Sequence, residues 1–230
     1  MATDGLYLNR AVVFGSAVVY WTGVWVQARR IRRRTGRSTN TRPRGAKERL
    51  LWAGWVLVVV TWLILPFLSA NSNKVPGTAI IPSLAGPLGR ALGLFMMGAG
   101  YAGTLWCYVA MGNAWRMGID RTERPDLVTR GPYRWVRHPI YLCQAVMVAA
   151  IAVLLPTVLS CVILILHLLC VGIKAADEES HLRVLLGQSY DAYCASAGAW
   201  IPRLARREPP TALLPAVNES SRTSGRETCK

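Results

Sequence analysis

Four long stretches without a single charged residue constrain this chain of 230 residues more than anything else in it. Arg10 and Arg29 bracket 18 uncharged positions, Arg49 and Lys74 bracket 24, Arg90 and Arg116 bracket 25, and His138 and Lys174 bracket 35. A helix needs about 20 apolar residues to cross a bilayer core of ~30 Å. The first three stretches each predict one span. The fourth is too long for one and carries Pro156 near its middle, so it predicts two short spans turning at "LLPTV". The expected fold is all-α: an integral membrane bundle of five transmembrane helices, followed by an amphipathic helix outside the membrane. A soluble globular domain is excluded, because its apolar residues would be interrupted by charge at the helical or strand period. The opening "MATDGLYLNR" is not expected to be a cleaved leader, since its charge is balanced and the apolar run behind it has membrane length.

A net charge of +15 would suggest a nucleic-acid partner in a soluble protein. Here the distribution points elsewhere. Residues 27–49 carry ten Lys/Arg, 69–87 only Lys74, 111–138 six arginines, and the chain after 173 eight Lys/Arg. Basic residues accumulate on the cytoplasmic side of membrane proteins. With five spans every basic segment falls on one side. The N-terminus is therefore expected outside and the C-terminus in the cytoplasm, in a bacterial plasma membrane or, alternatively, the endoplasmic reticulum. The Arg-rich segment 27–49 is expected to meet anionic lipid headgroups, not nucleic acid.

Residues 1–110 read as a three-span membrane scaffold holding that basic loop. Residues 111–204 read as a catalytic loop, a helical hairpin and a cytoplasmic helix, and 205–230 as a disordered, Pro/Ser-rich tail. Gly98, Gly100 and Gly103 have the spacing of a dinucleotide fingerprint. That fingerprint needs a preceding strand, whereas these glycines lie inside a span, where small residues let helices approach closely. Helix packing is the expected role. The six cysteines have no paired or metal-finger spacing, so neither a disulfide framework nor a structural zinc is expected.

Two segments converge on the open end of the predicted hairpin: "DLVTRGPYRWVRHPIY" entering the fourth span and "KAADEESHL" leaving the fifth. Leu182, Leu185, Leu186, Tyr190 and Tyr193 recur at helical spacing, which predicts a single helix over 174–194 with Glu178 and Glu179 near its inner face. Such a mouth suits a zwitterionic nucleoside such as S-adenosylmethionine. Glu178 or Glu179 would pair with the ammonium or the ribose hydroxyls, His138 and backbone N–H groups with the carboxylate. Tyr133 and Tyr141 would cover the adenine or the sulfonium. Methyl transfer asks mainly for alignment and partial desolvation, which fits a sequence with no metal cluster. A plainer reading stands beside this one. Arg134 and Trp135 suit an interfacial anchor, "DEES" a solvated helix end, Lys174 a snorkelling charge, and His167 a packed core histidine.

At "LVTRGPYRWVRHPIY" and "EESHLRVLLGQSYDAYCASAGAWIP" the chain resembles the isoprenylcysteine carboxyl methyltransferase family, within a wider group that includes phospholipid N-methyltransferases. The resemblance covers roughly residues 85–204. It implies an integral-membrane S-adenosylmethionine-dependent methyltransferase acting on a lipophilic or prenylated acceptor. By position it implies cofactor contacts at Pro125, Asp126, Leu127, Val128, Tyr133, His138, Pro139, Ile140, Tyr141, Glu178 and Glu179. Arg137 and Lys174 would orient the acceptor or balance charge. Lys174 stands where prenyl-protein enzymes have an arginine, and Cys143 and Leu186 also depart from the family pattern. Alternatives are phospholipid N-methylation, a reductase of the sterol type with a nicotinamide cofactor, or a membrane protein without enzymatic activity.

Overall fold

The computed structural model describes residues 2–36, 45–81, 86–115 and 127–203. They form six helices: α1 (Ala2–Thr35), α2 (Ala46–Ala70), α3 (Pro87–Met111), α4 (Pro139–Leu154), α5 (Val158–Leu186) and α6 (Gln188–Ser196). Helices α1, α2, α3 and α5 are long and apolar enough to cross a membrane, and α4 is a shorter apolar helix of 16 residues. The expected bundle is therefore present, with its last two membrane helices forming the hairpin around Pro156. Side chains such as Leu57, Ile64, Phe67, Phe95, Leu105, Ile165 and Leu169 stay exposed along α2, α3 and α5. Helices stable in water turn such a face inward, whereas hydrocarbon chains accept it.

The helices alternate in direction, and polar contacts tie together the end at which α1 begins. There Asn9 donates from Nδ2 to the Leu154 carbonyl at 2.8 Å, and Arg90 Nε donates to Asn9 Oδ1 at 3.1 Å. Arg10 donates to the Ser69 carbonyl at 2.7 Å. The hairpin turn lies at the same end. Thr157 caps α5 by accepting from the Ser160 N–H, and its own N–H donates to Ser160 Oγ, each at 3.0 Å. This reciprocal box satisfies two donors that a buried helix start would otherwise leave orphaned. At the opposite end Lys47 Nζ meets Asp177 at 2.6 Å, joining the start of α2 to the distal part of α5. The Arg-rich end of α1 lies there too. Alternation thus gathers the described basic segments at one end of the bundle.

Two boundaries differ from the sequence reading. Helix α1 does not stop near residue 27 but runs through Arg29–Arg34 to Thr35. Arginine is a good helix former, cations suit a helix C-terminus, and the Arg29 guanidinium lies 3.8 Å from the Trp25 ring centroid. The helix expected over 174–194 is broken in two by Gly187, whose φ of +52° belongs to a region that side-chain-bearing residues avoid. Its N–H still bonds the Arg183 carbonyl at 3.0 Å. The break folds α6 back, so Tyr190, Tyr193 and Ala197 are buried against Leu127, Leu182 and Leu186. The expected disordered tail lies outside the described residues, as does most of the loop before Leu127.

Helix α3 packs along α4 through its glycines. A Cβ on Gly100 would lie 2.4 Å from Met147 Cγ and 3.0 Å from the Cys143 carbonyl oxygen, and one on Gly103 would lie 2.5 Å from Cys143 Sγ. Gly93 meets Leu154 in the same way, while Gly98 faces open space. The glycine spacing thus serves helix packing at Gly100 and Gly103, with Gly98 outside the contact. We predict that Gly100→Ala costs about 1–3 kcal/mol through overpacking, read as a lowered thermal unfolding midpoint in detergent. Gly98→Ala leaves the midpoint unchanged or slightly raised.

Candidate active site

The segment "RWVRHP" reaches its position through backbone pairing. Val136 and Gly198 form one parallel bridge. Arg137 N–H donates to the Gly198 carbonyl at 2.7 Å, and Gly198 N–H to the Trp135 carbonyl at 3.0 Å. The chain then turns so tightly that a Cβ on Gly198 would lie 1.9 Å from the Ile201 carbonyl oxygen. Beyond the pairing, Pro139 opens α4 at a position where a missing N–H costs nothing. His138, immediately before it, is thereby held rigidly at the mouth of the hairpin.

Across from it, α5 presents Glu178 and Glu179. His138 Nε2 is 3.0 Å from Glu179 Oε1, and Nδ1 is 3.9 Å from Glu178 Oε2. Tyr141, one turn into α4, donates its hydroxyl to Glu178 Oε1 at 2.5 Å. The His138 and Tyr141 rings are nearly parallel, with centroids 5.8 Å apart, and Trp200 approaches the imidazole at 5.7 Å. Lys174 Nζ stands 5.7 Å from the centroid of Tyr141. The result is a cup with two carboxylates in its wall, an imidazole between them and flat rings on its flank. Glu178 is the more open of the two, with 24% of its side chain exposed against 14% for Glu179.

Arg137 lies beneath this cup. Its guanidinium donates to Glu179 Oε1 from Nε at 3.0 Å, and from Nη1 to the Ala197 carbonyl at 2.8 Å and the Cys194 carbonyl at 3.3 Å. Nη2 lies 2.9 Å from the same Glu179 oxygen. Its fork is thus spent inside the protein, balancing the charge of Glu179 and capping the end of α6. Tyr133 is buried and donates to Met111 Sδ at 2.9 Å, while its carbonyl accepts from the Tyr193 hydroxyl at 2.7 Å. Burial pushes the phenols of Tyr133 and Tyr193 well above their usual range, so both remain donors.

The structure therefore brings Arg137, His138, Tyr141, Lys174, Glu178 and Glu179 together. Leu127 packs into the cluster around α6, and Val128 and Ile140 against Cys107, Ala110 and Tyr133. Pro125 and Asp126 lie outside the described residues. Gly198 and Trp200 were missed by sequence reasoning. Their signal was the "GAW" before "IPRL", legible only as the end of a helix until the bridge to Val136 is seen.

We predict that Arg137→Ala destabilises the protein by roughly 3 kcal/mol or more, because it removes the partly buried cation paired with Glu179 and the side-chain donor to the Ala197 carbonyl. Arg137→Lys restores little, since one ammonium cannot span the three acceptors. Thermal unfolding of both variants beside the wild type measures this.

Residues 88–189 match the family model of phospholipid methyltransferases. Over 102 residues the chain is also 28% identical to the nickel-cobalt-cadmium resistance protein NccN of Alcaligenes xylosoxydans xylosoxydans. That overlap covers 44% of this chain and 44% of the relative, so the chain spans less than half the length of the curated relative it matches. The matched segment contains α3, the hairpin and every cup residue named above except Trp200. The matched segment is thus similar to phospholipid methyltransferases, and the likeness supports a membrane methyltransferase.

Proposed function

We propose that this protein is an integral-membrane, S-adenosylmethionine-dependent methyltransferase whose acceptor is a lipid with an amine headgroup. The observation that carries the proposal is the pair Glu178 and Glu179, set within 3.9 and 3.0 Å of the two nitrogens of His138 at the hairpin mouth. The donor set suits the cofactor. Glu178 offers an exposed carboxylate edge to an ammonium or to ribose hydroxyls, and Tyr141, His138 and Trp200 offer flat faces to an adenine. When bound, S-adenosylmethionine supplies an electrophilic methyl group on a positively charged sulfur.

An amine acceptor arrives protonated and attacks only as the free base, so the site needs a place for the proton. With Nε2–H donated to Glu179 Oε1, the lone pair of His138 sits on Nδ1. That atom is 3.9 Å from Glu178 Oε2, too far for a hydrogen bond to occupy it, and can take the proton. Tyr141 holds the other oxygen of Glu178 in place. Arg137 keeps Glu179 ionised and oriented without entering the cup itself. The rings of Tyr141 and Trp200 beside His138 would shield a bound cofactor from water.

Carboxyl O-methylation of a prenylated or other lipophilic acid is the second reading. It is favoured by Lys174, a cation beside Tyr141 that can draw a carboxylate. The commitment of Arg137 to internal acceptors weighs against it. Metal resistance, which the name of the relative describes, is not carried over. The proposal includes an orientation: the basic end of the bundle faces the cytoplasm, and Arg29–Arg34 at the end of α1 lie among anionic headgroups.

Purified protein given methyl-labelled S-adenosylmethionine, and phosphatidylethanolamine or a prenylated cysteine in separate reactions, tests both readings by mass spectrometry of the lipid products. Label on the amine lipid is expected, and label on the prenylated cysteine would select the second reading. Glu178→Gln and His138→Ala are each expected to lower the rate by about 100-fold or more. No cofactor binding at millimolar concentration in calorimetry would overturn the assignment.

A further inference from the structure

Seven residues before Lys174 on α5 lies a group that the proposed chemistry does not use. His167 is 3% exposed, and neither of its ring nitrogens has a hydrogen-bond partner among the described residues. Trp21 Nε1 on α1 is likewise buried without a partner. Both side chains line one narrow void between α1, α2, α4 and α5, together with Tyr20, Trp55, Trp62 and Gln144. An unmade hydrogen bond in a hydrocarbon setting carries the full desolvation cost of the group. Two such groups on one void point to something that completes them.

Other donors of the wall are already engaged. Gln144 Nε2 donates to the Tyr20 hydroxyl at 2.5 Å, and Trp62 Nε1 to Ser16 Oγ at 3.0 Å. The buried groups left unspent here are the Trp21 N–H and the donor and acceptor of a neutral imidazole. The wall contains no lysine or arginine to balance a phosphate or carboxylate, and a cation would meet the positive end of the Trp21 N–H. A neutral oxygen with two lone pairs matches these groups, since each offers an N–H for it to accept.

The void also lies at a telling depth. Its His167 wall is about 10 Å along the helix from Lys174, a little deeper than the ~5–8 Å thickness of a headgroup layer. Gln144 stands one turn beyond Tyr141, so the polar face of α4 leads from the cup down to the void. At the α1–α2 side, Trp21 and Trp55 meet edge to face at 4.8 Å, both only half-buried. Their separation would open the void sideways to the bilayer.

We propose that this void receives the ester carbonyl of a glycerolipid acceptor while its headgroup occupies the cup. The proposal rests on the amine-lipid reading above. Trp21 and His167 would then set how deep the acceptor sits, and favour acyl esters over alkyl ethers.

The test compares diacyl phosphatidylethanolamine with its dialkyl-ether analogue, which has the same headgroup and chain length but no carbonyl. Retention of each lipid by the detergent-purified protein is read by native mass spectrometry, without any turnover. The diester is expected to be retained about ten-fold better. His167→Leu and Trp21→Phe are expected to bring it down to the level of the ether. His167→Leu should also raise the thermal midpoint without lipid, because it removes an unsatisfied polar group, so loss of preference will not be confused with misfolding. Equal retention of the two lipids by the wild type, or a preference that survives both substitutions, overturns the inference and leaves the void to a structural water. A diester preference without methyl transfer would sink only the proposed function. Methyl transfer with equal retention would sink only this inference.

Discussion

Glutamates 178 and 179 stand beside hydrocarbon, and the structure around them is organised to make that tolerable. A carboxylate at a membrane boundary must be paired and hydrogen-bonded, or it will not stay ionised. Here one is held by Arg137 and His138, and the other by Tyr141. These partners depend on two devices. Arg137 and His138 are fixed by the bridge to Gly198, and Tyr141 by the first turn of α4. The close packing of α3 on α4, through Gly93, Gly100 and Gly103, holds that helix in register.

The same constraint explains why the two ends of the bundle look different. The hairpin end is closed by groups that satisfy each other: the Thr157–Ser160 box, Asn9 on the Leu154 carbonyl, and Arg10 on the Ser69 carbonyl. The mouth end has paired charges as well, but Glu178 keeps one oxygen directed at an imidazole nitrogen it does not bond, and a quarter of its side chain meets solvent. A fully satisfied network rigidifies, and a partly satisfied one is free to accept a ligand. By that measure the mouth is the place for the proposed chemistry. The void around His167 is the other place in the described structure where buried side-chain groups on a shared wall remain unspent.

Bundle, hairpin and glycine contact were legible in the sequence because each is written locally. A run of 18 to 35 uncharged residues has few fates, a proline in the middle of the longest run predicts a turn, and glycines inside a span predict close packing. The residue types of the cup were legible too, since "RHPIY" and "DEES" lie on either side of the hairpin. What was not legible is which arginine does what. Arg137 was read as orienting an acceptor or balancing charge, and the sequence does not show its partners, since the carbonyls of Cys194 and Ala197 lie 57 and 60 residues away. Gly187 could equally have continued the helix at modest cost. Only the burial of Tyr190 and Tyr193 against Leu182 and Leu186 reveals why the chain turns there.

Sequence alone therefore determined the number of crossings, the gathering of basic charge at one end, and the set of ionisable groups available at the mouth. These follow from transfer free energies that act residue by residue, in any fold the chain adopts. Tertiary structure decided the rest: that Arg137 props Glu179, that Trp200 flanks His138, and that His167 and Trp21 share a void. Each of these depends on the distance between groups far apart in the chain, and a hydrogen bond over 3 Å cannot be read from composition or period.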